Sequence, residues 1–203
     1  MKKLSSTLPN MLLSLTGICF VAAAILSFVD TKTSTVIAES KVLALEAAIG
    51  EVTPDFDNSP LDETRQITVN GDSLTIYPAK MNGELKGVAV ESISHNGFGG
   101  DVRVLVGINA DGSIKDYSVL EMNETPGLGD KMGKWFRDET ANRSILGRAI
   151  SDAPLRVSKD GGSVDAITAA TISSRAFLNA VNKAIQAYKI YLQGGSEDDK
   201  SNQ

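Results

Sequence analysis

From Met11 to Val29 the chain reads MLLSLTGICFVAAAILSFV, 19 residues without a charge. No face of this segment is polar, so it has no stripe on which to lie half-buried against a water-soluble core. As a helix it is about 28 Å long, close to a hydrocarbon core of roughly 30 Å, and the expectation is one transmembrane helix. A cleaved secretory signal is the competing reading. The run exceeds a typical signal core, however, and no small-x-small site immediately follows it. Lys2 and Lys3 precede the run, whereas Asp30, Lys32 and Glu39 follow it. The positive-inside tendency then places the N-terminus in the cytoplasm and the remaining mass across the inner membrane.

The charge balance narrows the partners. The formal charge is -5 over 203 residues, and setting aside Lys2 and Lys3 leaves -7 for residues 30–203. An acidic domain is a poor match for nucleic acid and for anionic headgroups. Cys19, the single cysteine, lies inside the apolar run, so the outer domain has neither a disulfide framework nor a thiolate metal site. His95 is the single histidine, which rules out a His-rich zinc or haem centre and reads as a polar residue at a strand end.

Beyond the span, apolar residues at 36, 37, 43, 45 and 49 suit a stalk helix, and VTPDFDNSPLDE reads as a linker. Alternation of apolar and polar residues on both sides of Asn70-Gly71 predicts a hairpin. A second alternating run, 85–93, follows Asn82-Gly83, and runs at 102–108 and 114–120 are joined through Asn109-Ala110-Asp111-Gly112. Gly97-Phe98-Gly99-Gly100 reads equally as a flexible turn or a ligand loop. A shorter helix is expected near Trp135 and Phe136. Phe177, Val181, Ala184, Ile185, Tyr188 and Leu192 define one face of a terminal helix, which Gly194-Gly195 should end. The expected architecture is α+β: an antiparallel sheet packed with helices, preceded by one transmembrane helix. Its divisions are a cytoplasmic N-terminus (1–10), the span (11–29), stalk and linker (30–66), an extracytoplasmic domain (67–192) and a disordered tail (193–203).

Two stretches carry candidate chemistry. Glu124-Thr125-Pro126-Gly127-Leu128-Gly129-Asp130 follows a predicted strand and has the residues of a tight turn. It lacks the lysine of a phosphate loop and the spacing of a dinucleotide fingerprint. Asp165-Ala166-Ile167-Thr168-Ala169-Ala170-Thr171-Ile172-Ser173-Ser174 runs into the terminal helix, where free N–H groups and the helix dipole favour an anion. Ordinary N-capping by Thr171 or Ser173 explains the same hydroxyls without a ligand. No histidine is nearby for a hydrolase triad and no Ser-x-x-Lys occurs, so nucleophilic catalysis by these hydroxyls is a poor reading.

Asp165 to Thr171 resembles the flavinylation motif of FMN-binding domains: an Asp, three residues later Ser or Thr, a small residue, then Ala-Thr. With Glu124 to Gly129, the preceding sheet and one N-terminal anchor, nearly the whole chain resembles the RnfG (RsxG) family, the G components of the Rnf (Rsx) ion-translocating electron transport complexes. The related C component of the Na+-translocating NADH:quinone reductase shares both motifs. Two positions depart from the pattern. Ala169 stands where Gly is frequent, and Met122 and Asn123 stand where His is frequent.

The resemblance implies FMN joined to Thr171 by a phosphoester bond, Asp165 and Thr168 as parts of the recognition motif, and Ala170 beside the attachment point. It places Glu124, Thr125, Gly127, Leu128 and Gly129 against the flavin and leaves Ser173 and Ser174 to helix capping. A threonine hydroxyl is a weak nucleophile, so a separate flavin transferase is expected to make the ester from FAD with a divalent metal. The implied function is electron transfer between ferredoxin and NAD, within a membrane complex coupled to Na+ or H+ translocation, by a component that is not a catalyst alone. The alternatives are the quinone-reductase component and a flavin-free anchored assembly module.

Overall fold

Asn70 and Asn82 take left-handed φ of 52° and 54°, each followed by glycine at 92° and 80°. Two successive positive φ values make the tight turn whose twist matches paired strands. These turns join β1 (Arg65–Val69) to β2 (Asp72–Met81) and β2 to β3 (Glu84–Ser94); β4 (Val102–Asn109) and β5 (Ile114–Met122) complete the set. The five strands form one antiparallel sheet in the order β1-β2-β3-β4-β5. This computed structural model describes residues 7–150 and 153–198. Lys2 and Lys3, on which the expected orientation rests, and residues 199–203 of the expected tail lie outside the described residues.

The chain divides into two units, residues 1–44 and 45–203. Most of the first is helix, the opening part of α1 (Leu8–Val52), which is long and apolar enough to cross a membrane. Within it every large apolar side chain from Leu12 to Val29 is at least half exposed. Such a surface is costly in water and neutral in lipid.

In the second unit both faces of the sheet are covered. Register aligns Ile76, Val90, Val106 and Tyr117 in one row across β2 to β5. That row is buried beneath α3 (Thr171–Asp198), together with Phe177, Val181, Ala184 and Tyr188. Phe177 stacks on Phe136 at 4.4 Å between centroids and meets the edge of Tyr117 at 4.8 Å. Removing such a buried ring costs about 3–5 kcal/mol. On the opposite face Tyr77, Ala89 and Leu105 bury Ala48, Ile49 and Val52, the end of α1. Gly107 makes this approach feasible, since a Cβ there would fall inside the Val52 carbonyl.

The short helix expected near Trp135 and Phe136 is a single turn, α2 (Met132–Trp135), entered through a 3-10 turn at Gly129–Lys131. Two expectations differ from the structure. α3 continues to Asp198 because Gly194 does not adopt the left-handed φ that turns a glycine into a stop. Leu192, placed on the buried face by spacing, is 43% exposed, whereas its neighbour Tyr191 packs against the core.

Candidate functional site

Glu124 follows β5, and its carboxylate gathers three segments. Oε1 accepts the Phe98 N–H at 2.9 Å, and Oε2 accepts the Ser173 hydroxyl at 2.7 Å. The glycine loop after β3, the turn after β5 and the start of α3 thus meet at one side chain. Two glycines allow the closeness. A Cβ on Gly129 would stand 2.6 Å from Glu124 Oε2 and 2.7 Å from Ser173 Oγ, and one on Gly99 would run into the Asn123 carbonyl. Leu128 N–H donates to the Thr125 carbonyl at 3.1 Å, closing the turn between them.

The three segments enclose a cleft of about 310 Å³, lined by Phe98, Glu124, Thr125, Leu128, Gly129 and residues 169–173. That volume falls at the lower end of the roughly 300–1,000 Å³ of small-molecule sites. Its wall is apolar and open: Phe98 is 68%, Ile172 49% and Leu128 37% exposed. Large apolar groups left exposed together around a concave surface mark a binding site for a flat or apolar ligand.

Thr171 is the first residue of α3 and opens on this cleft. Ser174 N–H donates to the Ala170 carbonyl at 3.0 Å, so the N–H groups of Thr171, Ile172 and Ser173 precede the helical ladder. They and the helix dipole favour negative charge. Lys159 Nζ donates to Thr171 Oγ1 at 3.2 Å, bringing a cation to the same hydroxyl. Ala169 reaches this position with φ of 63°. A left-handed backbone at that position explains physically why glycine suits it.

The remaining motif residues hold the loop. Asp165 Oδ1 accepts the Ser158 hydroxyl at 3.1 Å, Oδ2 accepts the Asn142 N–H at 3.3 Å, and its carbonyl accepts Trp135 Nε1 at 2.9 Å. Asp165 and Thr168 line a neighbouring cleft of about 390 Å³ with Trp135, Arg143 and Lys159. Gly127, with φ of 76°, serves the turn and does not line either cleft. Thus Glu124, Thr125, Leu128, Gly129, Ala170 and Thr171 come together, while Asp165 and Thr168 stand next door.

Ser173 and Ser174 differ from expectation. α3 begins at Thr171, so neither serine precedes the helix as a cap. Ser173 turns to Glu124, and buried Ser174 accepts the Ile167 N–H at 2.9 Å while donating to the Ala170 carbonyl at 2.9 Å.

The FMN-binding domain family matches residues 97–186. Over 192 residues the chain is 31% identical to the G component of the ion-translocating oxidoreductase complex of Aliivibrio fischeri, covering 90% of each chain. Over 179 residues it is 33% identical to the G component of the Na+-translocating ferredoxin:NAD+ oxidoreductase complex of Acetobacterium woodii, covering 83% of this chain and 86% of that one. The chain belongs to the RnfG/RsxG family of ion-translocating oxidoreductase complexes. Of the two related families, RnfG/RsxG is thus the one that applies. The FMN-binding match starts in the glycine loop and includes every residue lining the first cleft. Sequence marks neither Ile172 nor Lys159 as a cleft residue, whereas Phe98 lies in the glycine stretch that reads as a turn or a ligand loop. Phe98 alone had a signal, as an aromatic residue set among glycines in a loop.

Proposed function

We propose that this member of the RnfG/RsxG family is a covalently flavinylated electron carrier of a membrane ferredoxin:NAD oxidoreductase complex, coupled to Na+ or H+ translocation. The observation that carries the reading is the position of the Thr171 hydroxyl, at the N-terminus of α3 and on the rim of an apolar cleft. The residues present fit FMN. Free N–H groups suit its phosphate, and Phe98, Leu128 and Ile172 suit its flat ring.

Joined to Thr171 through the phosphate, FMN would supply redox chemistry, its ring electronically unaltered by the linkage. The chain would position that ring against the apolar wall of the cleft. Glu124 fixes the Phe98 and Ser173 walls, and Gly129 permits their approach. Thr125, Leu128 and Ala170 line the same cleft. Asp165 and Thr168 present the sequence read by the flavin transferase. The 11–29 part of α1 anchors the protein in the inner membrane, with residues 67–192 on the extracytoplasmic side beside the other members of the complex. The protein is a carrier and is not catalytic alone.

The test is denaturing electrophoresis of full-length protein made with its flavin transferase, joined to intact mass. A fluorescent band carrying the FMN phosphoester mass is expected in the wild type and absent in Thr171→Ala. A band that survives in Thr171→Ala would overturn the assignment.

A further inference from the structure

Lys159 belongs to neither motif, yet its ammonium is held at the oxygen on which the proposed attachment depends. It occupies the middle of the 3-10 turn Ser158–Asp160. Both neighbours are pinned to the segment around Thr171. Ser158 donates to Asp165 at 3.1 Å, and the Asp160 carboxylate is gripped by Arg175 of α3 at 2.6 and 2.7 Å. The Val157–Val164 bridge closes the base of this loop. The turn is therefore fixed on both flanks, and the lysine between them is aimed at Thr171 Oγ1, 3.2 Å away.

Two neighbouring cations are already committed. Arg143, which lines the same cleft, pairs with Asp138 at 2.6 Å and lies 4.0 Å over the Trp135 ring. Arg175 pairs with Asp160 and holds its carboxyl below the usual range. Among the described residues no carboxylate forms an ion pair with Lys159, and its polar partner is a neutral hydroxyl. A buttressed cation whose neighbour is uncharged is arranged for an anion that arrives later.

Resting on the Thr171 attachment, we propose that Lys159 is the counter-ion of the phosphoester and a positioning residue for its formation. In the transfer, Thr171 Oγ1 forms a bond to the FMN-side phosphorus of FAD. The pyrophosphate P–O bond breaks, AMP leaves with that electron pair, and the hydroxyl proton passes to a base of the transferase. Lys159 exchanges no proton. Donating to Oγ1, it keeps the hydroxyl proton turned away from itself and offsets negative charge that develops on the phosphoryl oxygens. Once the ester exists, its single negative charge replaces the hydroxyl as partner of the ammonium.

The experiment follows FMN incorporation with time in the full chain, using its transferase and FAD, read by in-gel fluorescence and intact mass. Lys159→Met is expected to slow incorporation about tenfold or more, the size of one charge-assisted hydrogen bond. Lys159→Arg is expected to restore most of the rate, and added salt to slow the wild type more than Lys159→Met. In the flavinylated proteins the 31P resonance of the ester is expected to move in Lys159→Met and to lie near wild type in Lys159→Arg. Unchanged incorporation and an unchanged resonance in Lys159→Met overturn the role of Lys159 while leaving the attachment standing. Equal loss in Lys159→Met and Lys159→Arg also overturns it, because a structural defect is not rescued by charge. Absence of FMN from the wild type overturns the attachment itself and the counter-ion with it.

Discussion

Ser173 Oγ donates a 2.7 Å hydrogen bond to Glu124 Oε2, joining residues 49 apart in sequence. The same carboxylate holds the Phe98 N–H through its other oxygen. Glu124→Ala leaves both donors without this partner and is expected to destabilise the domain by about 1.5–3 kcal/mol, as for hydrogen bonds to a charged group. Glu124→Gln keeps an acceptor for only one of the two and should lie between. Urea unfolding measures the loss, and flavin absorbance of the loaded protein reports the altered cleft.

Ala169 carries a φ of 63°, which costs a residue with a Cβ roughly 1–2 kcal/mol. Ala169→Gly is expected to raise stability by about 0.5–1 kcal/mol, the relief being partly offset by the greater freedom of glycine in the unfolded chain. Ala169→Val should lower it, because a β-branched side chain tolerates this backbone worst. Thermal midpoints of the three proteins check the order.

His95 faces carboxylates with both ring nitrogens, Asp101 at 2.8 Å and Asp72 at 3.2 Å. Only the protonated ring donates to both, and Asp101, then Asp72, raise its pKa above 6.5. The resulting stability is complete below the unfolded value of about 6.5 and is lost as pH rises through the higher folded value. Asp72 stays ionised across that window, since Lys183 and His95 lower its pKa. Urea midpoints from about pH 5.5 to about pH 8.5 should therefore decline more in the wild type than in His95→Gln.

Much of the sheet was legible because its turns are chemically local. Asn-Gly at 70–71 and 82–83 announces two successive positive φ values, and the structure has both. The anchor-like helix and the amphipathic face of α3 were legible for the same reason: period and composition act along one segment. Lys159 was not, since nothing in the eleven intervening residues says that a turn pinned by Ser158 and Asp160 returns to Thr171. Ser173 reads as a cap in the sequence because hydroxyl residues are favoured at helix starts. Its partner lies in another segment, and α3 begins two residues earlier. The clustering of Phe98, Leu128 and Ile172 likewise exists only after folding.

Three of the four strand connections are short, two residues at 70–71, two at 82–83 and four at 110–113, whereas 95–101 takes seven. The long one, between β3 and β4, holds Phe98 over the cleft, and the short ones join the other three strand pairs. Frame and fitting are thus separable in this domain. Exchange at Phe98 changes what faces the cleft without asking any strand to slide, whereas Gly97 and Gly99 have no room for a Cβ, so variation of this wall is confined to one side chain.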